Sequence, residues 1–372
     1  MLDIFQTGFA GLTPGSVVML VIGGALLYLG IAKKMEPLLL VPIGFSVILV
    51  NLPFGGLMEM VDGEPVGFLA RVFESGITTE LIPIFIFLGL GAMTDFGPII
   101  ANPKTLLLGA GAQLGVFLAL FLALLLGFSI NEAAAIGIIG GADGPTSIFL
   151  SNKLAPHLIG SIAVAAYTYM ALVPLIQPPV IRLFTTKKER AIYMKPQLRP
   201  VSPAEKVLFP VIAAIIIILL VPRSAPLIGM FMLGNLLKES RVTDRLAVTS
   251  SGAFIDVLTI LLGLAVGGFM SADNFLRSDS LLVFGLGIVA FAVATAAGVL
   301  MAKLMNVFLR EKINPMIGAA GVSAVPMSAR VVQKMGQQAN PRNFLLMQAM
   351  GPNIAGVIGT ATVAGIFLGM LG

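Results

Sequence analysis

Few residues in this chain can do chemistry, and most of them lie where glycine and proline interrupt long apolar runs. The first such stretch is Gly137-Ile138-Ile139-Gly140-Gly141-Ala142-Asp143-Gly144-Pro145-Thr146-Ser147, with apolar Ala133 to Ile139 before it and Ile148 to Leu150 after it. Glycine and proline break a helix there and free backbone carbonyls. A carboxylate flanked by freed carbonyls suits a hard monovalent cation such as sodium, and it can also hold a proton. A Gly-Pro turn with a solvated aspartate is the plainer reading, and the apolar flanks weigh against it. At membrane depth irregular backbone survives only where protein buries it or where it lines a wet cavity, and an aspartate there is costly.

A second stretch, 313–329, has no acid and offers Asn314, Ser323 and Ser328 around Gly318 and Gly321. Oxygen donors of this kind complete a sodium shell without adding charge; Asn314-Pro315 reads equally well as a helix start, with Asn as cap and Pro at the first helical position. Arg330 follows, either an interfacial arginine whose stem lies along apolar surface or a clamp for a carboxylate. A third break, Met350-Gly351-Pro352-Asn353-Ile354-Ala355-Gly356, carries Asn353 within reach of the hairpin tips. Tyr169, in Tyr167-Thr168-Tyr169, is a buried phenol that is either a structural hydrogen-bonding group or a proton donor beside an aspartate. Asp256 also falls within an apolar run, with no specific role beyond an ion or polar contact.

The elements that must position these residues follow from composition. Of 372 residues, 57% are hydrophobic and 11% charged, and the mean hydropathy is +1.00. Soluble domains carry about 25% charged residues, so the chain reads as an all-α polytopic membrane protein. Cysteine is absent and His157 is the only histidine, which excludes disulfides, thiolate metal sites and histidine-based catalysis. There is no Gly-Lys-Ser/Thr phosphate loop, so ATP is not expected as the energy source. The net charge of +5 is read loop by loop and not as a nucleic-acid signal. Nothing before residue 15 resembles a cleavable signal.

Ten spans are expected, near residues 17–32, 38–53, 81–101, 106–128, 158–178, 207–221, 226–237, 246–270, 281–304 and 344–371. The linker 182–206 carries Arg182, Lys187, Lys188, Arg190, Lys195, Arg199 and Lys206 against Glu189 and Glu205, and the positive-inside rule makes it cytoplasmic. The connector 54–80 is acidic and belongs outside. Parity then requires 130–152 to enter and return as a re-entrant hairpin with Asp143 at its tip. The second half repeats the layout: Leu88-Gly89-Leu90-Gly91 matches Leu262-Gly263-Leu264-Ala265, and the hairpin 313–329 answers 130–152. Five spans plus a hairpin reverse the direction of the second copy. The expected division is a first repeat over 1–181, a basic cytoplasmic linker over 182–206 and an inverted second repeat over 207–372. Broken helices meeting near the midplane of inverted repeats are a common plan of ion-coupled carriers.

Three motifs, Gly140-Gly141-Ala142-Asp143-Gly144-Pro145-Thr146, the run from Asn314 to Arg330, and Met350 to Gly359, together with Tyr169 and Val173 to Pro179, resemble the β subunit of the sodium-pumping biotin-dependent decarboxylases, which serve oxaloacetate, methylmalonyl-CoA and glutaconyl-CoA decarboxylases. The likeness runs from about residue 15 to the end. It implies that the chain receives carboxybiotin from a soluble carboxyltransferase partner, releases CO2 and exports sodium while an external proton is consumed. It places catalysis on Asp143, Tyr169 and Arg330, carboxybiotin on Arg330, and sodium on Asp143, Asn314, Gly318, Ser323 and Asn353. Implied partners are biotin-carrying and carboxyltransferase subunits, a small membrane subunit, lipid, and further copies of the chain as a trimer. The implied location is a bacterial or archaeal cell membrane. The compact 54–80 connector leans towards an acyl-CoA substrate. A sodium-coupled organic-anion carrier without catalysis is the rival class, and a membrane scaffold without an ion path is the third.

Overall fold

Lipid offers no partner for backbone N–H and C=O groups, so a chain this apolar must satisfy them within helices. The computed structural model describes residues 7–195 and 199–372, and helices dominate them. In chain order the principal ones are α1 (Pro14–Ile31), α2 (Pro37–Val50), α3 (Phe68–Thr78), α4 (Leu81–Met93), α5 (Pro103–Leu125), α6 (Ile130–Gly141), α7 (Gly144–Leu154) and α8 (Pro156–Phe184). After the linker come α9 (Pro203–Leu220), α10 (Ala225–Glu239), α11 (Asp244–Gly268), α12 (Ser278–Phe308), α13 (Met316–Ala319), α14 (Met327–Ala339) and α15 (Leu346–Leu371). A small antiparallel ribbon, β1 (Met60–Val61) with β2 (Glu64–Pro65), decorates the acidic connector. Asp62 and Gly63 turn it with φ of 51° and 84°, the paired positive angles of a type I′ hairpin.

Seven of these helices (α1, α5, α8, α9, α11, α12 and α15) are long and apolar enough to cross a membrane, and α3 with α4 forms an eighth candidate bent by 63°. The remaining expected spans fall on α2 and α10, of 14 and 15 residues. Short helices need close neighbours, and glycine supplies them. A Cβ on Gly91 of α4 would collide with the Phe231 carbonyl of α10, and one on Gly234 of α10 with the Leu88 carbonyl of α4. A Cβ on Gly267 of α11 would likewise stand 2.5 Å from the Ile43 carbonyl of α2. Thus α4 seats on α10 and α2 on α11, and a π-helical turn precedes the packed part of α4 (Glu74–Thr78) and of α11 (Ser250–Phe254).

Both broken stretches return to the end they left. Glu132, at the start of α6, meets His157, just past α7, at 2.8 Å. Asn314, before α13, donates to the Arg190 and Ile192 carbonyls, and Asn343, past α14, donates to Ile192 as well. These two ends are separated by α8, whose 29 residues span about 43 Å at 1.5 Å per residue. One end gathers basic groups, with Lys206 on Asp95, Lys303 on Glu189 and Lys238 on the Thr94 carbonyl. The other carries the acidic connector, where Lys153 meets Glu80 at 2.7 Å. A capping box starts α6 there, and the side chain and then the backbone of Ser129 hold Glu132 below the usual carboxylate range.

Candidate functional site

Hairpin 1 is α6 and α7 with the tip between them. Helix α6 tightens into a 3-10 turn over Ile138–Gly141, Ala142 takes φ 56°, and Asp143 then caps α7. Asp143 Oδ1 accepts from Thr146 N at 3.1 Å, and the Asp143 carbonyl accepts from Ser147 N at 2.9 Å and Ser147 Oγ at 2.7 Å. Its second carboxylate oxygen, Oδ2, has no hydrogen-bond partner in the protein, although the residue is only 3% exposed. Gly140 lets the tip lie on α5, since a Cβ there would stand 2.7 Å from the Gly115 carbonyl.

Hairpin 2, built from α13 and α14, reaches the same place from the opposite end. Ser323 N donates to the Gly141 carbonyl at 2.9 Å, so the tips meet by a backbone hydrogen bond. Ser323 Oγ lies 2.7 Å from Thr360 Oγ1 of α15, which in turn bonds Gln113 Oε1 of α5 at 3.3 Å. Asn353, at the Gly-Pro break of α15, donates through Nδ2 to the Ala320 and Val322 carbonyls at 3.0 and 2.7 Å. Its Oδ1 is buried without a partner. From α8, Gln177 Nε2 donates to the Ala319 carbonyl at 2.9 Å, and Gln177 Oε1 is left free. Among the described residues no three His, Cys, Asp or Glu side chains converge. One carboxylate among neutral oxygens suits a hard cation of low charge better than a transition metal.

Residues 15–371 match the family model of the Na+-transporting oxaloacetate decarboxylase beta subunit. The chain belongs to this family. It is 58% identical to the methylmalonyl-CoA decarboxylase subunit beta of Veillonella parvula over 99% of this chain and 96% of that protein. It is 57% identical to the glutaconyl-CoA decarboxylase subunit beta of Acidaminococcus fermentans, with the same coverage. It is 50% identical to the oxaloacetate decarboxylase beta chain of Klebsiella pneumoniae over 97% of this chain and 96% of that one. The chain is thus the membrane β subunit of a sodium-translocating decarboxylase, and a carrier or scaffold without catalysis is set aside.

In this β subunit the expected site residues separate into two groups. Asp143, Ser323 and Asn353 belong to the hairpin crossing. Gly318 lies beside it in close packing, because a Cβ there would collide with the Gly298 carbonyl of α12. The others lie elsewhere. Asn314 is buried at the basic end with both amide hydrogens given to linker carbonyls and Oδ1 accepting from Met316 N at 3.1 Å. Tyr169 donates its hydroxyl to the Phe284 carbonyl of α12. Arg330 is exposed one turn into α14, with no carboxylate within 4 Å among the described residues. Glu36, in the α1–α2 loop, is held above the usual carboxylate range by burial, with the charge of Arg330 opposing. Asp256 is exposed on α11.

Sequence reasoning passed over Gln113, Thr360 and Thr146, and it preferred Tyr169 to Tyr167. The signal for Gln113 was a lone polar residue in a clean apolar span, whereas Thr360 shares its span with Gln348, Asn353 and Thr362 and carried no such mark. Tyr167 and Tyr169 sit two residues apart on a helix, about 200° around it. Tyr167 is the one that faces hairpin 1, because a Cβ on Gly144 would collide with its ring.

Proposed function

We propose that this β subunit decarboxylates carboxybiotin delivered to its basic, cytoplasmic end and couples that step to outward sodium transfer through the hairpin crossing. The observation that carries the reading is Asp143, a buried carboxylate with one oxygen unpartnered at the meeting point of two hairpins that enter from opposite ends. Its free oxygen can hold sodium or a proton but not both. Loading from one side and protonation from the other would therefore exchange the two ions. The carboxyl group leaves as CO2, and the biotin nitrogen takes up the proton, which balances the step and accounts for the external proton consumed.

Residues 1–181 and 207–372 fit two inverted repeats joined by the linker 182–206: α2 and α10 run in opposite directions, as do α4 and α11. Arg330 fits a clamp for the incoming carboxylate, being a free guanidinium at the basic side of hairpin 2. Ser323 and Asn353 fit the sodium path. The roles of Asn314, Gly318 and Tyr169 fit better as supports that fix the linker, hairpin 2 and α12 around that path. Biotin-carrying and carboxyltransferase subunits, a small membrane subunit and trimeric assembly in a bacterial or archaeal cell membrane complete the proposal. An acyl-CoA substrate is favoured by the 58% and 57% identities quoted above against 50% for the oxaloacetate relative.

The test is to purify the complex, identify its carboxyltransferase by mass spectrometry, and reconstitute it in vesicles. Decarboxylation of the substrate that subunit dictates should be stimulated by sodium and should move sodium. Decarboxylation that neither needs nor moves sodium would refute the coupling.

A further inference from the structure

Three polar atoms without a hydrogen-bond partner in the protein are gathered over the first turn of α7: Asp143 Oδ2, Thr146 Oγ1 and the Tyr167 hydroxyl. Their residues are 3%, 0% and 2% exposed. Buried polar atoms are nearly always satisfied, so three together call for an occupant. The position of Tyr167 is fixed by Gly144, where a Cβ would collide with Cζ, the ring carbon that bears the hydroxyl. The phenol therefore sits beside the residue that follows Asp143.

Thr146, like Thr295 of α12, keeps a buried hydroxyl without a partner in the protein. A threonine on a helix commonly returns its hydroxyl to a carbonyl three or four residues back, as Thr94, Thr185, Thr259 and Thr362 do in this chain. Thr146 gives its backbone N–H to Asp143 Oδ1, which ties it to the same turn, and leaves Oγ1 free.

We infer that Tyr167 and Thr146 complete the coordination of the cation that Asp143 takes up, as two neutral oxygen donors set beside its carboxylate. The inference rests on the reading of Asp143 as the sodium site and adds which oxygens select the ion. One carboxylate with neutral donors balances a single positive charge. A divalent ion would leave net charge buried in a medium of low dielectric, which is strongly disfavoured, so calcium should not replace sodium. Tyr169, turned to α12 and already bonded, is outside this shell.

The experiment measures sodium-stimulated decarboxylation and sodium uptake by the whole complex in vesicles. Tyr167→Phe and Thr146→Val should each raise the sodium concentration for half-maximal rate by roughly tenfold or more, the usual size of a lost bond to a charged group. Thr146→Ser, which keeps the hydroxyl, should restore most of the loss, and Tyr169→Phe should lower the maximal rate without this shift. An unchanged sodium response in Tyr167→Phe and Thr146→Val would overturn the inference, as expected if the three atoms merely hold a structural water. If Tyr167→Phe fails to assemble, the Val and Ser variants at Thr146 decide: equal sodium responses in both would overturn it. Asp143→Asn is run alongside. A normal sodium response there defeats the site reading itself, whereas a dead Asp143→Asn beside unaffected Tyr167 and Thr146 variants defeats only the inference.

Discussion

Hairpin 1 and hairpin 2 have the same outline and opposite contents. Each enters from one end, breaks at glycine, and returns by a helix with proline near its start. Hairpin 1 brings the one acid of the crossing, Asp143, and leaves an oxygen of it free. Hairpin 2 brings no acid, and its tip carbonyls are gathered by the Asn353 amide while Ser323 is tied to Thr360. One arm supplies charge and the other supplies a neutral, fully tethered wall. A cation held between them would be neutralised from one side only, so the two arms should respond very differently to mutation.

The largest expected effect is at the acid. Asp143→Asn keeps the cap on Thr146 N through its amide oxygen but removes the charge, and it should abolish both sodium transport and sodium-stimulated decarboxylation while the complex still assembles. Ser323→Ala, on the other arm, loses a hydroxyl contact to Thr360 but keeps the Ser323 N to Gly141 bond. It should slow turnover only several-fold, in line with one neutral hydrogen bond of about 1 kcal/mol. Transport assays on both variants check the ranking, and equal losses would erase the distinction between the arms.

The opposite insertion of the two hairpins can be tested without touching the site. The native chain has no cysteine, so a single introduced one reports alone. Glu64→Cys, exposed on β2 and free of the positive φ of Gly63, should react with an impermeant thiol reagent from outside. Lys188→Cys, exposed in the linker, should react only from inside. Labelling of both from one face would defeat the inverted arrangement.

Why some of this was legible and some was not has a physical basis. Spans announce themselves by composition alone, because lipid demands about twenty apolar residues, and the breaks announce themselves by Gly and Pro. Rotation about a helix axis leaves no such trace in a membrane protein, where both faces are apolar. Nothing in Tyr167-Thr168-Tyr169 says which phenol faces hairpin 1, and only the Gly144 contact decides it. Asn314 shows a second limit: its sequence context allowed a cap or a sodium ligand, and its position against Arg190 and Ile192 depends on a linker more than a hundred residues away. Gln113 was visible as an isolated polar residue, but its meeting with Thr360 required two spans from different halves.

Arg330 comes next in expected size, and it sharpens the contrast between the basic sides of the two arms. A guanidinium holds a carboxylate with two parallel hydrogen bonds, and an ammonium cannot. Arg330→Lys keeps the charge and loses the fork, a loss of about 1.5–3 kcal/mol, or roughly tenfold to a hundredfold in the carboxybiotin donor concentration for half-maximal rate. Sodium affinity should barely change. A shift in sodium affinity with the donor response untouched would make Arg330 a gate and not a clamp.

The smallest expected effect comes from the exits of the two hairpins. On hairpin 1, Lys153 at the end of α7 meets Glu80 at the start of α4, and Asn152 adds a bond to the same carboxylate at 3.0 Å. On hairpin 2, Arg330 and Lys334 of α14 are exposed, and neither has a carboxylate within 4 Å among the described residues. Glu80 is nearly buried but Lys153 is about half exposed, so solvent screens the pair and its worth is no more than about 1 kcal/mol. Lys153→Met should therefore lower the melting temperature of the complex only slightly. Asn152 still satisfies one Glu80 oxygen, so the hairpin should not detach. Lys334→Met, with no pair to lose, should leave the melting temperature unchanged. If outward transfer proceeds, as proposed, by hairpin 1 loosening at the acidic end, the Lys153 variant should also release sodium there more readily, read as a higher external sodium concentration for half-inhibition of pumping. An equal response from the two lysine variants would mean that the exits of the hairpins are not distinguished by this ion pair.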